Sequence, residues 1–358
     1  MRLIIAAGAT DKFVYMKELS DALSRLGVEC KLVKESEYST GFPSKNISEW
    51  FSTNKKFKKL ISEFKPDAVF VDRQLHFGVD TIKAKIPLFV YLRGHYWLEM
   101  YWAKKTIYKN PLMRIVIWFR NRVAEKCFRE ATVILPITKY LERVVKEHYP
   151  NKSTGILLEG MNTSLWYPQE GMNLKHPCVG LLQNSNWWGK TKEMMILPKI
   201  LEALPNVTFY WAGGGGAYQE KILSSLEKYN NFKFIGRLQY PEQVRQYLTE
   251  IDVYALVTGL DTLGVTILEA ALMKKPVIAT NVGAIPEVIE NGITGYTVKE
   301  GDVTEWVERI TILLNDRKTA SKMSLAGYEF VKNNFSWDKM ANDLLNVINK
   351  HLNKSKVE

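Results

Sequence analysis

The chain is poor in cysteine, and its cysteines stand far apart. Cys30, Cys127 and Cys178 are the three that occur in 358 residues. An odd number without close spacing argues against a disulfide framework and against a cysteine-based zinc site. The expected setting is therefore a reducing, cytoplasmic one.

Long apolar runs are also missing. No stretch of the sequence approaches the ~18–20 apolar residues that a membrane-spanning helix needs. Residues 1–7 are apolar enough to suggest a signal peptide, but the run is too short, and Asp11 and Lys12 follow it at once. We interpret this run as a first buried strand.

Two familiar ligand signatures are incomplete or absent. Four consecutive glycines at 213–216 suggest a dinucleotide loop, but the G-x-G-x-x-G pattern fails because Tyr218 stands where a glycine is needed. The sequence contains no D-x-D pair and no internal repeat. Neither a dinucleotide enzyme nor a repeat protein is therefore indicated.

Positive charge is abundant. The formal net charge is +11, while 46% hydrophobic and 24% charged residues make an ordinary globular composition. Such a balance favours anionic partners, among them phosphorylated substrates, anionic lipid headgroups and nucleic acid. Nucleic-acid binding rests on charge alone, because no recognisable module accompanies it. The length exceeds that of one typical core, so we expect two domains.

Residues 252–279 show a strand–loop–helix–strand pattern. An apolar, β-branched run at 252–257 predicts a buried strand, 258–264 forms a loop with two glycines, and 265–273 has helical spacing. A glycine at the end of such a loop lets an anion approach the free N–H groups of the helix. Glu269, one turn inside the helix, is placed to accept hydrogen bonds from sugar hydroxyls.

This stretch resembles a known family. Asp261 and Glu269 stand eight positions apart with Leu263 and Gly264 between them, which is similar to the E-x7-E motif of retaining nucleotide-sugar glycosyltransferases of family 4. The flanking residues 276–295 also match without gaps. One departure is that the family's first glutamate is the shorter Asp261 here.

The resemblance implies the α/β fold called GT-B, with two Rossmann-like doubly wound domains facing a cleft. Residues 1–170 are expected to form the acceptor-binding domain, and a C-terminal helix within 335–358 is expected to pack back on it. Residues 171–334 are expected to form the domain that binds the nucleotide sugar. The resemblance is strong over the second domain and covers the first in outline.

The resemblance also indicates which residues would bind the donor diphosphate. Lys190 matches the family's lysine best, because a helix starts directly after it, and Lys192 is the alternative. The arginine that accompanies this lysine in the family is missing, since Leu181 or Asn184 occupies its place. Asn184, Lys192 or a group from the other domain would then compensate, or donor affinity would be lower. An ordinary exposed lysine is the alternative for Lys190.

The remaining donor contacts implied by the resemblance come from the central stretch. Glu269 would hold the ribose hydroxyls, Asp261 would orient the donor sugar, and Arg237 would lie beside the nucleobase. Backbone groups of the loop and the helix start would complete the donor site: Thr262, Leu263, Gly264, Val265 and Thr266.

In the first domain the resemblance points to two positions. Gly8 follows the first strand in the place of the family's glycine-rich loop, although a tight turn that needs a positive φ explains it equally well. His95 follows a predicted strand, where open α/β sheets bind ligands. The family often places a histidine there, near the donor sugar and the acceptor. The alternative is a partly exposed loop histidine.

Residues 96–130 are rich in basic and aromatic side chains. They contain eight basic and three acidic residues, and helical spacing from Pro111 sets Arg114, Trp118 and Arg122 on one face. A second, apolar face holds Leu112, Ile115, Val116, Phe119, Val123 and Cys127. The basic–aromatic face suits an anionic membrane, and many relatives act on lipid-linked acceptors. A solvated face of a buried helix, with aromatics lining a cleft, is the alternative.

These observations predict a reaction. The resemblance implies transfer of a sugar, with retention, from a UDP- or GDP-linked donor to a hydroxyl of a lipid-linked or cell-surface glycan precursor. Such a transfer needs stabilisation of the departing diphosphate. Because no D-x-D pair is present, we expect no metal and no cofactor. The rivals are a donor-modifying GT-B protein such as an epimerase, a phosphorylase, and a non-catalytic protein that binds sugar nucleotides or membranes.

Overall fold

The computed structural model describes residues 1–8, 10–42, 54–106 and 108–354. The chain forms two compact units, with residues 1–161 and the chain from Phe335 onward in the first and Asn162–Asn334 in the second. The sequence placed this division at 170. Residues 162–170 belong to the second unit because two hydrogen bonds hold them there. The Arg245 guanidinium donates to the Leu165 carbonyl at 2.9 Å, and the Gln169 N–H donates to Thr249 Oγ1 at 3.3 Å.

The first unit is built on a parallel sheet of five strands in the order β2-β1-β3-β4-β5. Four of its five strands are almost continuously apolar and buried, as a sheet covered by helices on both faces requires, whereas the edge strand Glu29–Lys34 is mostly half-buried. The strands are β1 (Arg2–Ala7), β2 (Glu29–Lys34), β3 (Ala68–Val71), β4 (Leu88–Leu92) and β5 (Val133–Pro136).

Helices alternate with these strands. They are α1 (Thr10–Arg25), α2 (Glu35–Tyr38), α3 (Lys55–Phe64), α4 (His76–Lys83), α5 (Tyr96–Thr106), α6 (Pro111–Glu130) and α7 (Lys139–His148). The last helix of the chain, α16 (Trp337–Lys354), packs against α1 within this unit. Arg25 and Asp338 form an ion pair of 2.5 Å between these helices. Residues 355–358, the end of the predicted C-terminal helix, lie outside the described residues.

The second unit contains a parallel sheet of six strands in the order β11-β10-β9-β6-β7-β8. The strands are β6 (Cys178–Gln183), β7 (Thr208–Gly213), β8 (Phe232–Gly236), β9 (Val253–Leu256), β10 (Val277–Thr280) and β11 (Tyr296–Val298). The connecting helices are α8 (Trp188–Thr191), α9 (Leu197–Ala203), α10 (Gln219–Leu226), α11 (Glu242–Glu250), α12 (Val265–Leu272), α13 (Ile285–Val288), α14 (Val303–Asn315) and α15 (Arg317–Asn334).

The topology of the second sheet singles out one edge. The chain runs from β6 through β7 to β8 on one side, and then crosses to β9 and continues to β10 and β11 on the other. The chain therefore leaves β6 and β9 in opposite directions along the sheet. In open parallel sheets this arrangement places a crevice at the carboxyl ends of the two strands. Ligands of open parallel sheets bind at such a switch point. The two wholly parallel sheets confirm the α/β class predicted from the sequence.

Among the described residues, none of the helices combines the length and the apolarity that crossing a bilayer requires.

Candidate functional site

The loop after β9 is organised by one carboxylate. Oδ1 of Asp261 accepts hydrogen bonds from three successive backbone N–H groups, those of Thr262 at 2.8 Å, Leu263 at 3.2 Å and Gly264 at 2.8 Å. A short acidic side chain can reach its own downstream amides in this way. Gly264 has φ of 75°, the left-handed region that suits glycine, and the chain then enters α12.

Lys190 lies in the short helix α8, which follows β6, and it contacts the turn after β9. Its Nζ donates to the second oxygen of Asp261, Oδ2, at 2.7 Å. Its carbonyl accepts from the N–H of Gly259 at 2.9 Å and from Thr258 Oγ1 at 3.1 Å. The side chains of Lys190 and Asp261 are 27% and 11% exposed, so the pair lies mostly out of water. An ion pair and two hydrogen bonds thus connect the segments that follow β6 and β9.

Asp261 is ionised in this arrangement. Burial by itself raises the pKa of the carboxyl group, but the charge of Lys190 and the hydrogen bonds from Lys190 and from the Leu263 and Gly264 amides lower the pKa below its usual value. The charge of Lys190 and the donated hydrogen bonds together therefore outweigh the effect of burial on this pKa. The Lys190 ammonium keeps further N–H donors, so it can contact a second anion without releasing Asp261.

These contacts differ from the sequence-based assignment in one respect. Thr262, Leu263 and Gly264 were predicted to contact the donor, Gly264 through its N–H group, but the N–H groups of all three donate to Asp261. The N–H groups of Val265 and Thr266 are in the first turn of α12, where no preceding helical carbonyl is in reach. Among the described residues, neither N–H has an acceptor. These two amides are therefore the ones available to an anion at this helix end.

Glu269 lies one turn further along α12 and is buried, with 4% of its surface exposed. Burial raises the pKa of its carboxyl group to about 8, although a hydrogen bond with the Tyr240 side chain acts in the opposite direction. Sequence reasoning missed Tyr240, which follows β8 and reaches Glu269 through the tertiary fold. A protonated Glu269 both donates and accepts hydrogen bonds, as a sugar hydroxyl does.

The raised pKa of Glu269 predicts a pH-dependent stability. The folded state binds this proton more tightly than the unfolded chain, whose pKa is near 4.5, so the contribution is complete at low pH and is lost as pH rises toward 8. Between about pH 5.5 and 7.5, the free energy of unfolding of the wild type should fall by about 1.4 kcal/mol per pH unit relative to Glu269→Gln. Urea titrations of both proteins measure this difference. Parallel pH profiles would contradict the assignment.

Two further residues, Asn184 and Arg237, were predicted to contact the donor. Asn184 follows β6 and is exposed, and its Oδ1 accepts from the Asn186 N–H at 3.5 Å. Arg237 follows β8, is exposed, and makes no ion pair with any described residue. Neither side chain bonds to Lys190, Asp261 or Glu269 within the described ranges. Both therefore remain predictions that depend on a bound donor.

The segment that carries these loops matches a known family. The family model described as glycosyl transferases group 1 matches residues 178–316. This segment is similar to the glycosyl transferases group 1 domains that the model describes. The match contains Lys190, Asp261 and Glu269, and it confirms the resemblance to glycosyltransferases drawn from the sequence.

A curated relative matches a similar part of the chain. A protein of Corynebacterium glutamicum, named GDP-mannose-dependent monoacylated alpha-(1-6)-phosphatidylinositol monomannoside mannosyltransferase, is 29% identical over 167 residues. The match covers 45% of this chain and 43% of the relative. The chain therefore matches less than half the length of this relative.

Solved structures match over almost the whole chain. A sucrose-phosphate synthase from Thermosynechococcus elongatus has a TM-score of 0.71 at 15% identity, covering 98% of this chain and 99% of that one. An Anabaena protein solved with UDP-glucose has a TM-score of 0.67 at 13% identity, covering 98% and 100%. At this identity the likeness concerns the fold, and it confirms the GT-B class.

The first unit, which lies outside the matched segment, holds the other two predicted site residues. Gly8 does not have a positive φ, so a left-handed turn does not account for it. Nδ1 of His95 accepts the N–H of Leu98 at 3.2 Å at the start of α5, which leaves the proton of a neutral ring on Nε2. Burial lowers the pKa of this imidazole, which favours the neutral ring. His95 thus caps a helix and retains one donor.

A polar cluster in the first unit was missed from the sequence. Arg93 donates to Asp72 at 3.5 Å and, through two nitrogens, to Glu159. Glu35 is buried nearby, and burial together with the charge of Asp72 raises the pKa of its carboxyl group well above the usual value. Glu35, Asp72 and Arg93 each follow a strand of the sheet. Polar residues directly after predicted parallel strands lie at the carboxyl edge of the sheet, so this pattern in the sequence could have identified them.

The basic–aromatic face of α6 is exposed. Arg114, Trp118 and Arg122 all lie at the surface, and the Arg122 guanidinium lies 4.5 Å from the centroid of the Trp118 ring. Ile115, which the sequence assigned to the apolar face, is 51% exposed. The buried face of α6 is formed by Ile117, Ala124, Cys127 and Phe128. The side chain of Leu112 and residue 107 lie outside the described residues.

Proposed function

We propose that the protein transfers a sugar from a nucleotide diphosphate donor to an acceptor hydroxyl, with retention at the anomeric carbon. The observation that carries the proposal is the Lys190–Asp261 pair, which lies at the switch point of the second sheet inside the glycosyl transferases group 1 segment. A mostly buried ammonium beside unpaired helix amides is a suitable environment for a departing diphosphate.

Each residue has a role in this proposal. Lys190 and the amides of Val265 and Thr266 stabilise the negative charge that develops on the leaving diphosphate. Asp261 positions Lys190 and shapes the loop beside the donor sugar. Glu269, buried and hydrogen-bonded with Tyr240, holds the ribose hydroxyls.

The proposal includes independence from metal ions in catalysis. Lys190 and the helix end supply the positive charge that a divalent ion provides in other transferases. The sequence also lacks a D-x-D pair to hold such an ion. Transfer should therefore persist in a chelating buffer.

A thermal-shift panel followed by a transfer assay tests the function. UDP-, GDP- and ADP-linked sugars are compared with the free nucleosides, because a ligand of the folded state raises the melting temperature by mass action. The donor that gives the largest shift is then tested for transfer, hydrolysis and isomerisation. A shift by no nucleotide sugar would contradict the proposal.

A donor-binding protein without transfer activity is the second candidate. It is favoured by the missing diphosphate arginine and by the Asp261 carboxylate, which is occupied by Lys190 and the loop amides. The same panel distinguishes the two functions. Donor binding without transfer to any of a set of glycan and lipid-linked acceptors would support this candidate.

We also propose that the protein acts on its acceptor at the cytoplasmic surface of an anionic membrane. The exposed side chains Met113, Ile115 and Trp118 on α6 stand beside Arg114 and Arg122. Apolar groups next to cations bind the boundary between acyl chains and anionic headgroups. The name of the Corynebacterium relative includes a phosphatidylinositol mannoside, which supports a lipid-linked acceptor.

Liposome flotation tests this placement. The triple variant Arg114→Ala/Trp118→Ala/Arg122→Ala should lose at least ~10-fold of the affinity for vesicles with anionic lipid, because each cation near such a surface contributes about 1 kcal/mol. The variant Arg317→Ala/Lys318→Ala/Leu325→Ala is a matched control, since it removes two exposed cations and one exposed apolar side chain elsewhere. Equal binding by both variants, or no binding by the wild type, would remove the membrane from the proposal.

A further inference from the structure

A histidine, a cysteine and an aspartate meet at the amino-terminal edge of the second sheet. His176 and Cys178 stand at the start of β6, and Asp252 directly precedes β9. Since these strands pair in parallel with Val179 opposite Val253, their first residues are neighbours. This edge is the opposite one from the Lys190–Asp261 pair, which follows the carboxyl ends of the same strands.

The potential ligand atoms are close together. Nδ1 of His176 lies 2.8 Å from Oδ2 of Asp252 and 3.8 Å from Sγ of Cys178. One ligand atom from each of the three residues lies within 4.8 Å of the others. Ligand atoms around a tetrahedral zinc ion are about 3.4–3.6 Å apart. Small side-chain movements would therefore create a three-ligand site.

We propose that His176, Cys178 and Asp252 bind a zinc ion, with water or a further ligand completing the tetrahedron. Thiolate, imidazole and carboxylate are all zinc ligands, and the thiolate favours zinc over magnesium or calcium. His176 and Asp252 are 43% and 37% exposed in their side chains, so an ion can enter from solvent. Cys178 is buried beneath them.

A second, independent feature supports the site. The other ring nitrogen of His176, Nε2, lies 2.9 Å from Oε1 of Glu250. Metal-binding histidines generally donate their second ring N–H to a carboxylate in this way, which fixes the tautomer and the orientation of the ring. Asp252 is held as well, because its Oδ2 accepts the backbone N–H of Cys178 at 2.7 Å.

The local charges also balance with zinc present. The thiolate of Cys178 and the carboxylates of Asp252 and Glu250 carry three negative charges. The ammonium of Lys275, which interacts electrostatically with these same groups, supplies one positive charge, and zinc supplies two. Zinc binding displaces the thiol proton and any proton on Nδ1, so affinity should fall at acidic pH.

The site has a structural role in this proposal and no part in transfer. The ion would tie the segment before β6 to the start of β9. The spacing of the cysteines in the sequence did not reveal it, because one ligand is distant in sequence and is brought in by strand pairing. Catalysis at the opposite edge remains metal-independent, so the two proposals are tested separately.

Cobalt and zinc titrations of the metal-free protein test the inference. We expect one equivalent of Co²⁺ to give visible d–d bands of a tetrahedral site and a near-ultraviolet band of sulfur ligation, both removed by excess Zn²⁺. Cys178→Ser should lose the sulfur band, whereas Cys30→Ser should retain it. Glu250→Ala should weaken zinc binding by about 10–100-fold, because it removes the acceptor for the histidine ring.

Thermal stability provides a readout that does not depend on activity. Zinc should raise the melting temperature of the wild type and of Cys30→Ser, and should leave that of His176→Gln unchanged. Circular dichroism of each variant establishes that it is folded before titration. Absence of cobalt bands in the wild type, or bands that persist in both Cys178→Ser and His176→Gln, would overturn the inference.

Discussion

Replacement of Lys190 by alanine is expected to lower turnover by at least ~100-fold, the effect seen when a positioned charge or donor that stabilises a transition state is removed. The reason is local, since Lys190 is the cation held at 2.7 Å from Asp261 beside the unpaired amides of α12. Initial rates with saturating donor, measured on protein shown to be folded, give the magnitude.

The matched control is Lys192→Ala. Lys192 was the alternative from the sequence, but its Nζ pairs with Glu300 at 2.6 Å and its side chain is 45% exposed. We expect its loss to change turnover less than ~3-fold, in line with the small effects of exposed ion pairs. A greater loss from Lys192→Ala than from Lys190→Ala would exchange the two assignments, and wild-type rates in both would refute the transfer mechanism.

The loss of Lys190 also leaves Asp261 buried and unpaired, which lowers stability. The double variant Lys190→Met/Asp261→Asn removes both charges and separates the two effects. It should recover part of the stability that Lys190→Ala loses without recovering turnover. Recovery of turnover in the double variant would show that Lys190 acts through folding alone.

Asp261→Ala is expected to lower the free energy of unfolding by about 2–4 kcal/mol, because it leaves three loop amides and one mostly buried ammonium without their acceptor. The carboxylate is 11% exposed, so water replaces it poorly. Turnover should fall as well, since Lys190 and the loop lose their common anchor. Urea denaturation and initial rates provide the two measurements.

Asp261→Asn is the control that separates hydrogen bonding from charge. Its amide oxygen can still accept from the loop N–H groups, whereas the ion pair with Lys190 is lost. Stability should therefore lie between that of the wild type and Asp261→Ala. Because the pKa of Asp261 is lowered on folding, the difference between wild type and Asp261→Asn should persist above the unfolded value of 3.8 and shrink as pH falls through the lowered value. Equal stability of all three proteins would contradict the role given to the loop.

The shortened Asp261 is the clearest case in which the structure changes an interpretation. From the sequence, the missing methylene was a weakened contact to the donor sugar. In the structure, the short side chain lets Oδ1 reach three of its own downstream amides while Oδ2 meets Lys190. A glutamate would carry the carboxylate past these amides. The aspartate in place of the family's glutamate therefore supports this loop through its own hydrogen bonds to the loop amides.

The sequence by itself determined the parallel α/β architecture and the unit around residues 252–279, because apolar periodicity and glycine position are local properties of the chain. Its resemblance to a family motif indicated Lys190 and Glu269 as candidates. Only the tertiary structure decided which side chains bond to each other. It pairs Lys190 with Asp261 and Tyr240 with Glu269, places Arg93 between Asp72 and Glu159, and brings His176 and Cys178 beside Asp252. These contacts depend on which strands are neighbours in the two sheets, and strand pairing joins residues whose separation along the chain carries no signal.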